Sequence, residues 1–132
     1  MKAFVLDTDT LSLFLSGDAS VCRSMLSIPT EQLATTIVTV EEVLSGWYAK
    51  LRKSKRDEEI VRAYAALAIA IKTFQALQVL PFDSSKLGRF HSLRRKYRRI
   101  GTNDLRIAAI VLEYEAVLVT RNVVDFSAID EL

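Results

Sequence analysis

An α/β fold, with a central and mostly parallel sheet covered by helices on both faces, follows from three features of the chain. Residues 2–6, 33–40 and 116–120 are short continuous apolar or β-branched runs, the pattern of strands buried on both sides. Segments with helical spacing separate these runs, as βαβ connections require. No repeat, low-complexity stretch or linker interrupts the 132 residues, so one domain spanning 1–132 with a single core is expected.

Residues 2–6 (KAFVL) read as a buried strand ending at Asp7. Leu11, Leu13, Phe14 and Leu15 predict a helix that Gly17-Asp18 breaks, and a second short helix runs from about Ala19 to Ile28, where Pro29 ends it. The β-branched run from Leu33 to Val40 predicts a strand. Val43, Leu44, Trp47 and Leu51 then recur at helical spacing, which places a helix start near Glu41. Asp57-Glu58-Glu59 suit the positive end of a long helix over 57–76. Val79, Leu80 and Phe82 predict a short edge strand around Pro81. A helix over 84–98 follows, then Thr102 as the cap of a helix carrying Leu105, Ile107, Ala108, Ile110, Val111 and Leu112. Ala116 to Thr120 is the last strand, with a short helical tail beyond it.

Composition narrows the setting. Half the residues are hydrophobic and a quarter charged, which argues against disorder. The lone Cys22 cannot form an internal disulfide and is expected to be a small, partly buried apolar residue. Ala3 to Leu6 is too short for a signal peptide, and Ala63 to Ile71, bounded by Arg62 and Lys72, falls short of the ~20 residues of a membrane span. A cytoplasmic protein without membrane attachment is expected. Net charge is only +2, but eleven of the 18 basic residues fall in two clusters. One is Lys50, Arg52, Lys53, Lys55 and Arg56; the other is Arg89, Arg94, Arg95, Lys96, Arg98 and Arg99. Such segregation suits a polyanion across one face, and it also suits two solvated helix surfaces.

The acids carry the chemistry. In open parallel sheets, ligands bind outside the carboxyl ends of the strands. Asp7 ends the first strand, Glu42 follows the second by a turn, and Thr120 ends the last with Asp125 just beyond. All of them fall on one sheet edge. Asp104 lies in the first turn after Thr102. Each acid alone could be a helix cap or a macrodipole partner. Four converging carboxylates call for a cation, which points to metal-dependent chemistry on a phosphate ester. Asp9 could hold the loop of Asp7 or a water instead of a metal. Glu41 and Glu42 are adjacent and so ~100° apart on a helix; one of them faces the cleft, and periodicity does not say which. The single histidine, His91, sits among arginines with no serine or cysteine motif, and none of the four glycines forms a phosphate loop. General-base chemistry is therefore left to carboxylates or metal-bound water.

FVLDTDTLS, TIVTVEEVLSG, IGTNDLRIAA and LVTRNVVDF, in this order and spacing, resemble the PIN domain from Lys2 to about Ile129. More closely, the chain resembles the small VapC-type toxins of prokaryotic toxin–antitoxin pairs. The resemblance implies a PIN-like three-layer α/β/α sandwich and an endoribonuclease dependent on Mg²⁺ or Mn²⁺. It carries over onto Asp7, Glu42 rather than Glu41, Asp104 and Asp125, with Asp7 and Asp104 as the core metal ligands and Thr120 and Asn122 as polar neighbours. Arg98, Arg99 and Arg121 are candidates for positioning RNA phosphates. Asp9 departs from the family pattern, standing where many relatives have Asn. The chain also stops at Leu132, where many relatives add a further strand. A cognate antitoxin and a homodimer are the implied partners, to which Trp47, Tyr48, Leu51 and the apolar Ala63–Ile71 stretch would offer surface.

Two other readings compete. FVLDTDTL meets the D-x-D-x-T pattern of haloacid-dehalogenase-type phosphatases, with Asp7 as nucleophile and Asp9 as acid/base. That family's later acidic motif should follow an apolar strand, whereas GTNDL follows Lys96-Tyr97-Arg98-Arg99. A non-catalytic PIN-like module that binds RNA or protein is the other reading, and all four acids being present speaks against it.

Overall fold

The computed structural model describes residues 2–132. Four strands, β1 (Phe4–Leu6), β2 (Leu33–Thr36), β3 (Gln78–Leu80) and β4 (Val117–Val119), form one parallel sheet in the order β3-β2-β1-β4. The α-helices of the described residues are α1 (Thr8–Leu15), α2 (Ala19–Leu26), α3 (Ile37–Lys53), α4 (Asp57–Ala76), α5 (Ser84–Lys96), α6 (Thr102–Glu113) and α7 (Val123–Phe126).

Alternation along β1 builds the layers. Leu6 packs with Leu11, Val21, Met25, Val43, Ala70 and Phe74, contributed by α1 to α4. Val5 packs on the opposite face with Ile107, Ile110 and Val111 of α6. A further cluster joins Phe90 and Leu93 of α5 to Leu105, Ala108 and Ala109 of α6 and Phe126 of α7. The strand is apolar at successive positions because both of its faces are covered. The three-layer α/β/α expectation holds.

Several local boundaries differ from expectation. β2 ends at Thr36 and α3 begins at Ile37, so the run 37–40 is helical. Thr36 caps α3 by accepting the Thr39 amide at 3.1 Å, and Val38 is buried; capping and packing override the strand preference of β-branched residues. Glu42 therefore lies in the second turn of its helix. β3 is an edge strand, as expected, but ends before Pro81, whose missing N–H suits a position outside the ladder. α5 stops at Lys96, which leaves Tyr97 to Gly101 as a loop. Thr102 is the first residue of α6, and the cap position is Gly101, with no side-chain hydrogen bond. Gly17, at φ 81°, ends α1 in a left-handed conformation that favours glycine.

The topology fixes where a site can form. From β1 the chain builds outward through β2 to β3, then crosses back to place β4 on the other side of β1. The switch point is therefore the crevice beyond the carboxyl ends of β1 and β4.

Candidate active site

Asp7 stands where β1 turns into α1. Its extended backbone and the Oδ1 bond from the Thr10 amide at 3.0 Å make it the α1 cap. The same carboxylate also takes part in the crevice, where Oδ2 accepts the hydroxyl of Thr120, beyond the end of β4, at 2.5 Å. Asp7 is only 3% exposed, and each oxygen keeps a lone pair beyond these bonds. The Thr120 hydroxyl oxygen accepts the Asn122 amide at 2.9 Å, and Asn122 Nδ2 donates to Asp125 Oδ2 at 3.1 Å. A hydrogen-bonded chain thus links Asp7 to Asp125 through Thr120 and Asn122.

A second chain fixes the glutamate. Thr8 Oγ1 donates to Glu42 Oε1 at 2.6 Å. Since that proton goes to Glu42, the Thr39 hydroxyl, 3.1 Å away, must donate to Thr8, and Thr36 donates to Thr39 in turn at 3.3 Å. Thr39 and Glu42 are three residues apart and so share a helix face. Glu42 is half-buried, whereas Glu41 is exposed and accepts from Ser45 of its own helix at 2.5 Å. Of the two adjacent glutamates, Glu42 is the one turned toward Asp7.

Asp104, half-buried in the first turn of α6, completes the group. Burial, followed by the charges of Glu42, Asp125, Asp7 and Asp9, pushes its carboxyl up to about 6. Those contributions place all five acids in one electrostatic neighbourhood. Among the described residues, none of the five is ion-paired to a lysine or arginine. An all-oxygen set with uncompensated charge fits a hard cation. Among the described residues no three acidic, histidine or cysteine side chains are gathered closely enough to hold an ion unaided, so water or substrate oxygens would have to complete the shell.

The basic candidates divide. Arg98 and Arg99 are exposed on the 97–101 loop that leads into α6, and neither forms an ion pair among the described residues. Arg121 lies 3.6 Å from Asp18. Three others in the two clusters are ion-paired: Arg89 with Glu113, Lys96 with Glu131, and Arg56 with Glu58. His91 is exposed beside Phe90 and remote in sequence from every acid described. A hollow of about 750 Å³ beside β4 is lined largely by apolar residues and touches the acid group only at Thr120.

Sequence reasoning missed Thr8, Thr36 and Thr39. Their signal was the D-T-D-T alternation after β1 and the three threonines between Thr35 and Thr39, polar residues inside apolar segments. The phosphatase reading finds no apolar strand before GTNDL, since a loop occupies 97–101.

Residues 4–132 match the PIN domain family. The chain is 26% identical over 131 residues to Ribonuclease VapC1 of Haemophilus influenzae (strain R2866), covering 98% of this chain and 93% of that protein. Its fold is similar to DNA-bound VapBC from Salmonella typhimurium, with a TM-score of 0.81, 22% identity, and coverage of 100% of this chain and 96% of that one. It is also similar to VapBC-1 from nontypeable Haemophilus influenzae, with a TM-score of 0.73, 25% identity, and coverage of 98% and 94%. The match over residues 4–132, together with the parallel sheet and the acids at its switch point, establishes that the chain belongs to the PIN domain family.

Proposed function

We propose that the chain is a metal-dependent endoribonuclease and the toxin of a toxin–antitoxin pair. The reading is carried by Asp7, tied to Asp125 through Thr120 and Asn122 and next to Thr8, which holds Glu42. Asp104 is near enough to feel their charges, and no lysine or arginine is ion-paired to any of them among the described residues. The family and the similarity to Ribonuclease VapC1 support cleavage of RNA.

In this reading Asp7 and Asp104 would hold Mg²⁺ or Mn²⁺, which when bound would supply positive charge to the phosphate and acidify a water. The residues do the rest. Thr120 and the Thr10 amide keep the Asp7 carboxylate fixed at the end of β1. Thr8 occupies one oxygen of Glu42 and leaves the other to orient water. Asn122 holds the Asp125 carboxylate by donating its Nδ2 to Oδ2. Arg98 and Arg99, exposed on the loop that leads to Asp104, would offer charge to the RNA backbone, as would Arg121 if released from Asp18. Choice of target would rest on RNA shape and the surrounding loops.

The partner half of the proposal has its own support. α4 buries Ala63, Leu67, Ala70 and Phe74 but leaves Val61, Tyr64, Ile69 and Ile71 exposed, and Tyr48 of α3 is exposed as well. Exposed apolar side chains of this kind suit a second copy and a small antitoxin; solved relatives with the same fold are VapBC complexes. No helix among the described residues is long and apolar enough to cross a membrane.

Incubating the chain and its Asp7→Asn variant with structured RNA and Mg²⁺, then mapping new ends, tests the catalytic half. Internal cuts by the parent and none by the variant are expected. Equal cutting by both would remove Asp7 from the reaction. Co-expression with the neighbouring reading frame, followed by sizing, tests the partners: a free dimer and a larger, inactive complex are expected.

A further inference from the structure

We propose that Arg94 is a positioning residue for the cleavage reaction, fixing the 98–102 loop and, through it, the first turn of α6 that carries Asp104. The inference rests on the ribonuclease reading above.

Arg94 lies in the last turn of α5 and is half-buried. Its Nη1 donates to the Arg98 carbonyl at 3.2 Å and the Ile100 carbonyl at 2.9 Å, and its Nη2 donates to Thr102 Oγ1 at 3.1 Å. The guanidinium carbon is 5.8 Å from the ring centre of buried Phe90. One side chain therefore holds three successive points of the loop. Those donors are spent within the protein, unlike the exposed side chains of Arg98 and Arg99.

The loop requires such a holder. α6 starts without a side-chain cap, so its entry is not fixed in the usual way. The loop also lies against the acid: a Cβ built on Gly101 would come 3.8 Å from Asp104 Oδ2. By its three bonds Arg94 fixes the loop through which α6 is entered, so the turn that carries Asp104 keeps its position. A planar fork reaches three acceptors at once, which a lysine ammonium on a flexible stem does not. Tyr97 fastens the start of the loop separately, accepting the Asp130 amide at 3.0 Å, so loss of Arg94 loosens 98–104 locally.

Steady-state cleavage by Arg94→Met, Arg94→Lys and Thr102→Val tests this. A displacement of a catalytic turn by about 1 Å costs up to ~100-fold. Arg94→Met should lose about tenfold or more in kcat with KM changed less than about twofold. Lys should restore only a minor part, and Thr102→Val should show a smaller loss of the same kind. Combining Arg94→Met with Asp104→Asn should be no slower than Asp104→Asn alone, because both act through one group. Amide exchange should quicken over 99–105 and nowhere else. Should Arg94→Met not fold, Thr102→Val, at an exposed residue, carries the same test. A wild-type chain that cuts no RNA sinks the ribonuclease reading and this role with it. An active wild type whose Arg94→Met keeps its kcat, changes only KM, or is fully rescued by Lys overturns the Arg94 role alone.

Discussion

Thr8 and Glu42 are joined by a 2.6 Å hydrogen bond that ties the first residue of α1 to the second turn of α3. Thr8 directly follows the Asp7 cap, so the bond sets the distance between the two carboxylates through a single residue. Because the donor is neutral and the acceptor charged, it belongs to the stronger class of hydrogen bond, at about 1.5–3 kcal/mol.

Thr8→Val should therefore lower kcat by about tenfold with little change in KM. Glu42→Gln should cost about a hundredfold or more, and Glu41→Gln should stay within about twofold of the parent. Rates measured on one RNA substrate decide this. A larger loss at Glu41 than at Glu42 would contradict the orientation of α3.

The raised pKa of Asp104 has a definite sign in folding. Its carboxyl sits at about 6 in the folded state against an ordinary 3.8, so the folded protein holds a proton that the unfolded chain has released. The resulting stability is full below about pH 4 and is lost as pH rises through about 6. Without divalent cation, the wild type should lose on the order of 1 kcal/mol relative to Asp104→Asn between pH 4 and 7, the full shift being discounted for solvent screening of a half-exposed carboxyl. Urea midpoints of both proteins at the two pH values give the difference directly. Parallel curves would mean that the neighbouring charges are not felt at Asp104.

Cation binding should reverse that penalty. Near pH 6, Mn²⁺ or Mg²⁺ should displace the Asp104 proton, and the melting temperature should rise more at pH 7.5 than at pH 5. Calorimetry in two buffers of different ionisation enthalpy counts the released proton. Binding without proton release would place the ion away from Asp104.

Arg98→Gln and Arg99→Gln should each raise KM several-fold and leave kcat nearly unchanged. Each should also flatten the salt dependence of binding by about 0.7 in log–log slope, as expected for one lost phosphate contact on a single strand. A kcat effect with unchanged salt slope would show that these side chains do not meet the backbone of the RNA.

The sheet and its edge were legible because burial on both faces of β1 writes a continuous apolar strand, and β1, β2 and β4 each end at or just before a polar residue, Asp7, Thr36 and Thr120. Asp7 and Thr120 could thus be assigned to one edge, and the structure joins them. The start of α3 was not legible: Ile37 to Val40 favour a strand locally, and only the Thr36 cap and the burial of Val38 make them helical. Orientation at Glu41 and Glu42 was open for the same reason, since it depends on a contact to Thr8 from thirty-four residues away. Arg94 looked like one more member of a basic cluster. Nothing in local sequence distinguishes an arginine that faces solvent from one that holds three points of a loop.

Dependence of RNA cleavage on a divalent cation held by these acids is decided by one titration. The purified chain is incubated with structured RNA at rising Mn²⁺, with a matched series containing excess chelator. Internal cleavage should rise with free Mn²⁺ to a plateau and vanish in chelator. Cleavage that persists undiminished in chelator would contradict that dependence.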